Sequence, residues 1–76
     1  MLALTATDSC RDRLCAFYLW NDRQALAAAV AIALRERVRL SAIQRWSMKE
    51  EHSDGFERFR AELARARRMR SRRKVQ

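Results

Sequence analysis

His52 is the single histidine of the chain, and it sits in the polar run Glu50-Glu51-His52-Ser53-Asp54-Gly55. Nucleophilic or acid–base catalysis needs a nucleophile, a base and an orienting group brought together, and no such set is spaced together here. The run has the composition of a joint between helices, so His52 is expected to be a solvated surface side chain. Glu50 and Glu51 form the one adjacent carboxylate pair, but neighbours on a helix point about 100° apart, so the two cannot flank one bond. Cys10 and Cys15 stand five apart, about 140° around a helix; they cannot bridge to each other or hold a metal from one face. Two such thiols suit a reducing cytosol. The expectation is a cytoplasmic protein that is not an enzyme and needs no cofactor or metal.

Cations carry more information than nucleophiles. The chain has 76 residues, 17 Lys/Arg against 9 Asp/Glu, and a formal net charge of +8. Residues 1–64 hold ten cations and nine anions, and the remaining +7 comes from Arg65, Arg67, Arg68, Arg70, Arg72, Arg73 and Lys74. An arginine run without interleaved aromatics neutralises phosphates but has nothing with which to read base edges. Weak, sequence-insensitive nucleic-acid binding is the expected property of this tail. Fifteen of the seventeen cations are Arg, which a coding bias toward G and C also produces.

Few residues here favour anything but helix. There is no Pro and one Gly, so neither tight hairpins nor a glycine-rich phosphate loop can form. The start of the chain lacks the basic and apolar regions of a secretory signal. The apolar run Ala25–Leu34 is ten residues long, against the roughly 20 that span a bilayer, and Arg23 and Arg35 bound it. No membrane association is expected. The fold class is therefore all-α: a small bundle of three to four helices at about 8–20, 22–37, 40–50 and 54–68. Residues 1–64 form the bundle, and 65–76 are a frayed or disordered basic tail whose like charges repel.

Within that bundle, Thr7 or Asp8 can cap the first helix, whose inner face is Cys10, Leu14, Phe17 and Tyr18. Asn21, with Gln24 three residues on, has the pattern of a capping box opening the second helix. That helix is apolar nearly all round and should be the most buried. Ile43 and Trp46 mark the inner side of the third helix. Asp54 with Glu57 marks the start of the fourth, and Phe56, Phe59 and Leu63 are its core contacts. A chain this short buries only about 60% of its unfolded surface, so a homo-oligomer, or a protein partner covering an apolar face near Leu2, Leu4 and one side of the first helix, is expected.

One DNA-binding pattern is partly present. Val38 to Trp46 has the apolar spacing and terminal Arg-Trp of a recognition helix, with Ser41, Gln44 and Arg45 as the base-facing residues, and Ile32-Ala33 falls in the preceding helix. Its turn departs from the pattern, which wants Gly before Val38 and an apolar residue before that. Arg37 and Glu36 stand there, and burying Glu36 unpaired would cost several kcal/mol.

The segment LTATDSCRDRLCAFYLWNDRQAL, residues 4–26, resembles bacterial nucleotidyltransferase-like proteins of the toxin–antitoxin or abortive-infection type. In that family a Ser/Thr-Pro-Thr-Asp turn leads into a helix of the type Lys-Asp-Arg-Leu-Ala-Ala-Phe-Tyr followed by Trp-Asn-Asp-Arg-Gln. The piece from Ile43-Gln-Arg-Trp46-Ser47 through Phe56-Glu-Arg-Phe59 is similar to the family's closing helices. Here Ala6 replaces the Pro and Arg11 the Lys. The resemblance covers only the C-terminal helical part; the Gly-Ser and Asp-x-Asp motifs that carry catalysis in the family are absent. It implies a non-catalytic helical domain or truncated remnant acting through protein or nucleotide-related binding, with Arg11, Asp22 and Arg23 facing the nucleotide.

Overall fold

The computed structural model describes residues 5–75, with side chains through Arg70. Among them are four helices, α1 (Ala6–Trp20), α2 (Arg23–Arg35), α3 (Leu40–Lys49) and α4 (Ser53–Val75), and no strand. The all-α expectation therefore holds for the described residues. Leu2 and Leu4 lie outside them.

Short side chains decide where α1 and α2 start, whereas α3 begins at Arg39 without a side-chain cap. Thr5, not Thr7 or Asp8, caps α1: its Oγ1 accepts the Asp8 amide at 3.1 Å. Thr7 is used differently, its hydroxyl accepting the Arg39 amide at 3.0 Å, which ties the α2–α3 link to the first turn of α1. Asn21 is likewise displaced from its expected role. It ends α1 in the left-handed region, at φ 52°, with its amide bonded to the Phe17 carbonyl. Asn tolerates that conformation better than most residues. Asp22 then caps α2, one carboxylate oxygen taking the Gln24 and Ala25 amides at 2.9 and 3.2 Å. An aspartate accepts two orphan amides and adds negative charge at the positive helix end, so it takes the cap from its neighbour. The joint is thus two residues long and α1 and α2 form a helical hairpin.

At the α3–α4 joint the His52 amide reaches back to the Ser47 carbonyl at 2.7 Å and the Glu51 amide to Met48 at 3.0 Å. Glu51 adopts φ 62°, a left-handed position usually given to glycine. α4 then runs unbroken to Val75. Within the expected helix and just beyond it, Arg65 to Arg70 continue α4: Ala66 packs on the core and Arg70 bonds to α2.

The core is one cluster. α1 contributes Cys10 and Leu14, α2 contributes Leu26, Ala29, Val30 and Ala33, α3 contributes Ile43, and α4 contributes Phe56, Phe59 and Leu63. The α1, α2 and α4 rows follow helical i, i+3, i+4 spacing, and α3 buries Ile43 with Ser47 four residues on; each large side chain is worth about 1.5–3 kcal/mol. α1 packs on all three other helices and α4 on all three as well, whereas α2 and α3 do not meet. α2 and α4 run in the same direction, since the α2 C-terminal carbonyl of Leu34 receives Arg70 of α4 at 2.7 Å while Arg23 at the α2 start stands by Arg58.

The glycine and the left-handed glutamate invite a paired test. A Cβ on Gly55 would lie 2.5 and 2.6 Å from two ring carbons of Tyr18, so Gly55→Ala should destabilise the fold by about 1–3 kcal/mol through overpacking. Helix propensity alone would have it stabilise by about 1. Glu51→Gly should instead gain about 1 kcal/mol by relieving the left-handed conformation. Thermal unfolding of the two variants checks both signs.

Alkaline pH provides a second check. Cys10 is fully buried against the Ala29 carbonyl, Sγ to O 3.6 Å, and burial pushes its thiol from 9.0 up to about 11. The unfolded chain loses that proton first, so the contribution is fully present below about pH 9 and is lost as pH rises to about 11, on the order of 2–3 kcal/mol in all. Denaturant unfolding across that window should show a steep loss that is shallower in Cys10→Ala.

Candidate binding groove

Tyr18 is the polar hinge of the bundle. Its hydroxyl shares a 2.8 Å hydrogen bond with Ser47 Oγ, and Ser47 is fully buried. Its ring stacks on Trp46, centroids 5.6 Å apart, and on His52 at 4.9 Å. His52 is therefore half-buried and stacked, not the solvated side chain the polar joint suggested: the αL turn at Glu51 folds the joint back onto α1. Burial raises the Tyr18 pKa, opposed by the Ser47 hydrogen bond and reinforced by Cys10. No sequence pattern reveals this cluster, because its members come from α1, α3 and the joint.

The residues singled out by resemblance do not converge. Arg11 is exposed, its guanidinium 5.3 Å from the centre of the Trp46 ring, a cation–π contact. Asp22 caps α2, with one carboxylate oxygen accepting two backbone amides. Eleven residues of mostly helical chain, about 16 Å, separate Arg11 from Asp22. Arg23 alone of the three lines a concavity.

That concavity is a groove of about 410 Å³ between α2 and α4, lined by Arg23, Leu26, Ala27, Val30, Arg58, Glu62, Arg65, Ala66 and Met69. It falls within the roughly 300–1,000 Å³ range of ligand sites, and sites between bundle helices are common. Its floor is apolar and its rim holds three guanidiniums and one carboxylate. Glu62 lies 3.7 Å from Arg58, a half-exposed pair worth little to stability, so the rim keeps a surplus of two positive charges. Sequence reading missed the groove because α2 and α4 are far apart in the chain. The parallel spacing of Arg58 and Arg65, seven residues apart, was its only trace.

Ser41, Gln44 and Arg45 are all exposed on α3. Of the tail, Arg65 joins the groove, Arg67 and Arg68 are exposed, and Arg70 donates to the Leu34 carbonyl. Arg72, Arg73 and Lys74 lie outside the described side chains. Among the described residues no three His, Cys, Asp or Glu side chains are grouped to hold a metal ion, and no helix is long and apolar enough to cross a membrane. Leu19 and Trp20 are exposed at the end of α1, Trp20 by 78%.

Arg70 also alters what the tail does. Its guanidinium satisfies an orphan carbonyl at the negative end of α2, where a cation contributes about 0.3–1 kcal/mol. Removal of residues 65–76, which from sequence should leave the fold unchanged, is expected instead to lower the melting temperature, with Arg70→Ala reproducing part of the loss. Thermal unfolding of both chains at low and high salt measures it. No family model matches this chain, and no curated protein or solved structure matches it either.

Proposed function

We propose that this chain is a non-catalytic helical binding module, of the kind that forms the helical part of nucleotidyltransferase-like proteins, and that it works by docking an anionic partner on its α2–α4 face. The observation that carries the reading is the groove: an apolar floor rimmed by Arg23, Arg58 and Arg65 on one side of the bundle. The side chains that the resemblance assigns to a nucleotide have structural work elsewhere, Asp22 in a helix cap and Arg11 on Trp46. Phosphoryl-type transfer also needs carboxylate-held metal ions to neutralise developing charge. Incubation of the chain with labelled nucleotide, magnesium and candidate acceptors should therefore leave no transferred label; transfer that disappears in Asp22→Ala would sink the reading.

A second reading, a small DNA-binding protein using Ser41, Gln44, Arg45 and the basic C-terminal segment, draws on the exposure of those α3 side chains. It is weaker because the helices of a helix-turn-helix pack against each other, and α2 and α3 do not meet here. The readings separate by salt and sequence dependence. Contact through the C-terminal cations alone gives weak, sequence-insensitive binding whose log K falls with log salt at a slope near −6 if about seven phosphates are neutralised. Site-specific recognition would instead keep a sequence preference after truncation and lose about 1–3 kcal/mol in Gln44→Ala or Arg45→Ala. Binding of full and truncated chains to random and selected duplexes at two salt concentrations distinguishes them, and the first outcome is expected.

A further inference from the structure

We infer that the α2–α4 groove receives an acidic amphipathic helix of a partner protein, about two to three turns long, with carboxylates one heptad apart. This rests on the binding-module reading and specifies its partner. The shape is the first argument. The lining runs from Arg23 to Val30 on α2 and from Arg58 to Met69 on α4, about 10 and 16 Å of helix, and the two walls run in the same direction. A trough between two parallel helices is the surface on which a third helix seats its apolar stripe. The floor suits that stripe, because Ala27 and Ala66 leave room for close approach between the larger Leu26, Val30 and Met69.

Charge is the second argument, and it fixes both sign and spacing. Arg23 and Arg58 stand at one end of the trough, Arg65 stands two turns further along α4, and Glu62 lies between, 3.7 Å from Arg58, which leaves Arg23 and Arg65 as the surplus charges. An incoming helix meets positive charge at positions seven residues apart and negative charge between them. Carboxylates one heptad apart, with a neutral or basic residue opposite Glu62, complement that order. A lone small amphiphile could meet one end of the rim but not both together with Glu62.

The test uses the full chain and a fluorescein-labelled synthetic helix with leucines along one stripe and glutamates one heptad apart. Comparison probes are the same peptide with lysines for glutamates, the same peptide with serines for leucines, and dodecanoate as a competitor. Anisotropy should show binding of the acidic peptide alone, undisturbed by dodecanoate. Ala27→Glu, which sets a carboxylate in the exposed floor, and Arg65→Glu on the rim should each weaken it roughly tenfold or more. Arg60→Glu and Arg67→Glu make the same charge change outside the groove and should move it less than about threefold. Circular dichroism checks the fold, and a peptide with lysine opposite position 65 should restore binding to Arg65→Glu.

Equal losses in the two sets of variants, equal binding of the lysine peptide, or displacement by dodecanoate would each overturn the inference. So would a dimer by sedimentation that Ala27→Glu dissociates, since the occupant would then be a second copy. Nucleotide transfer in the same preparation would remove the binding-module reading itself, whereas loss of peptide binding without transfer removes only the acidic helix.

Discussion

The hydrogen bond between Tyr18 and Ser47 is the constraint on which the rest of the bundle depends. Ser47 is fully buried, and an unpaired buried hydroxyl costs about 1–3 kcal/mol, so α3 packs best where the Tyr18 hydroxyl reaches it. That requirement fixes the position of α3 against α1. Trp46 and His52 then stack on the same ring, and the α3–α4 joint must bend back far enough to bring His52 there. Glu51 accepts a left-handed backbone to make that bend, and Gly55 leaves out the side chain that would strike the ring. The left-handed Glu51 and the glycine at 55 thus both trace to one aromatic side chain.

From this joint α4 runs along the hairpin of α1 and α2. Phe56, Phe59, Leu63 and Ala66 keep it on the core, while Arg70 fastens its far part to the end of α2. The parallel run of α2 and α4 follows from being held at both ends. A groove remains between them because the facing residues near the surface are Ala27 and Ala66, too small to close the gap. Arginines on the outer flanks of both helices then rim it. The concavity is thus a consequence of small side chains at a forced contact, and its positive charge comes from residues that carry no burden in the core.

Electrostatics gives the chain two distinct basic regions. Along the groove, charge is interrupted by Glu62 and backed by apolar area, a combination that favours shape and register as well as sign. Beyond it, Arg67 and Arg68 are exposed on a helix without aromatic neighbours, which favours unspecific attraction to phosphates. High salt weakens both, but the apolar floor of the groove retains its contribution.

Apolar spacing alone was enough to read three to four helices, the burial of Cys10, Leu14, Leu26, Phe56, Phe59 and Leu63, and the absence of any strand pattern, because helical periodicity is a property of neighbours in the chain. Capping was legible only to within a residue or two: Thr5, Thr7 and Asp8, like Asn21 and Asp22, are all competent caps, and which one is used depends on backbone geometry set by packing. The arginine count was plain, but its division was not. Arg70 serves α2, Arg65 serves the groove, and that assignment exists only once α4 lies parallel to α2. His52 looked solvated because its sequence neighbours are polar; tertiary structure buried half of it against Tyr18, 34 residues away. The sequence by itself determined the helices and their inward faces, since those follow from local periodicity. Only the tertiary structure decided the hinge, the groove and the places of Arg65 and Arg70, since these depend on contacts between residues that local patterns do not relate.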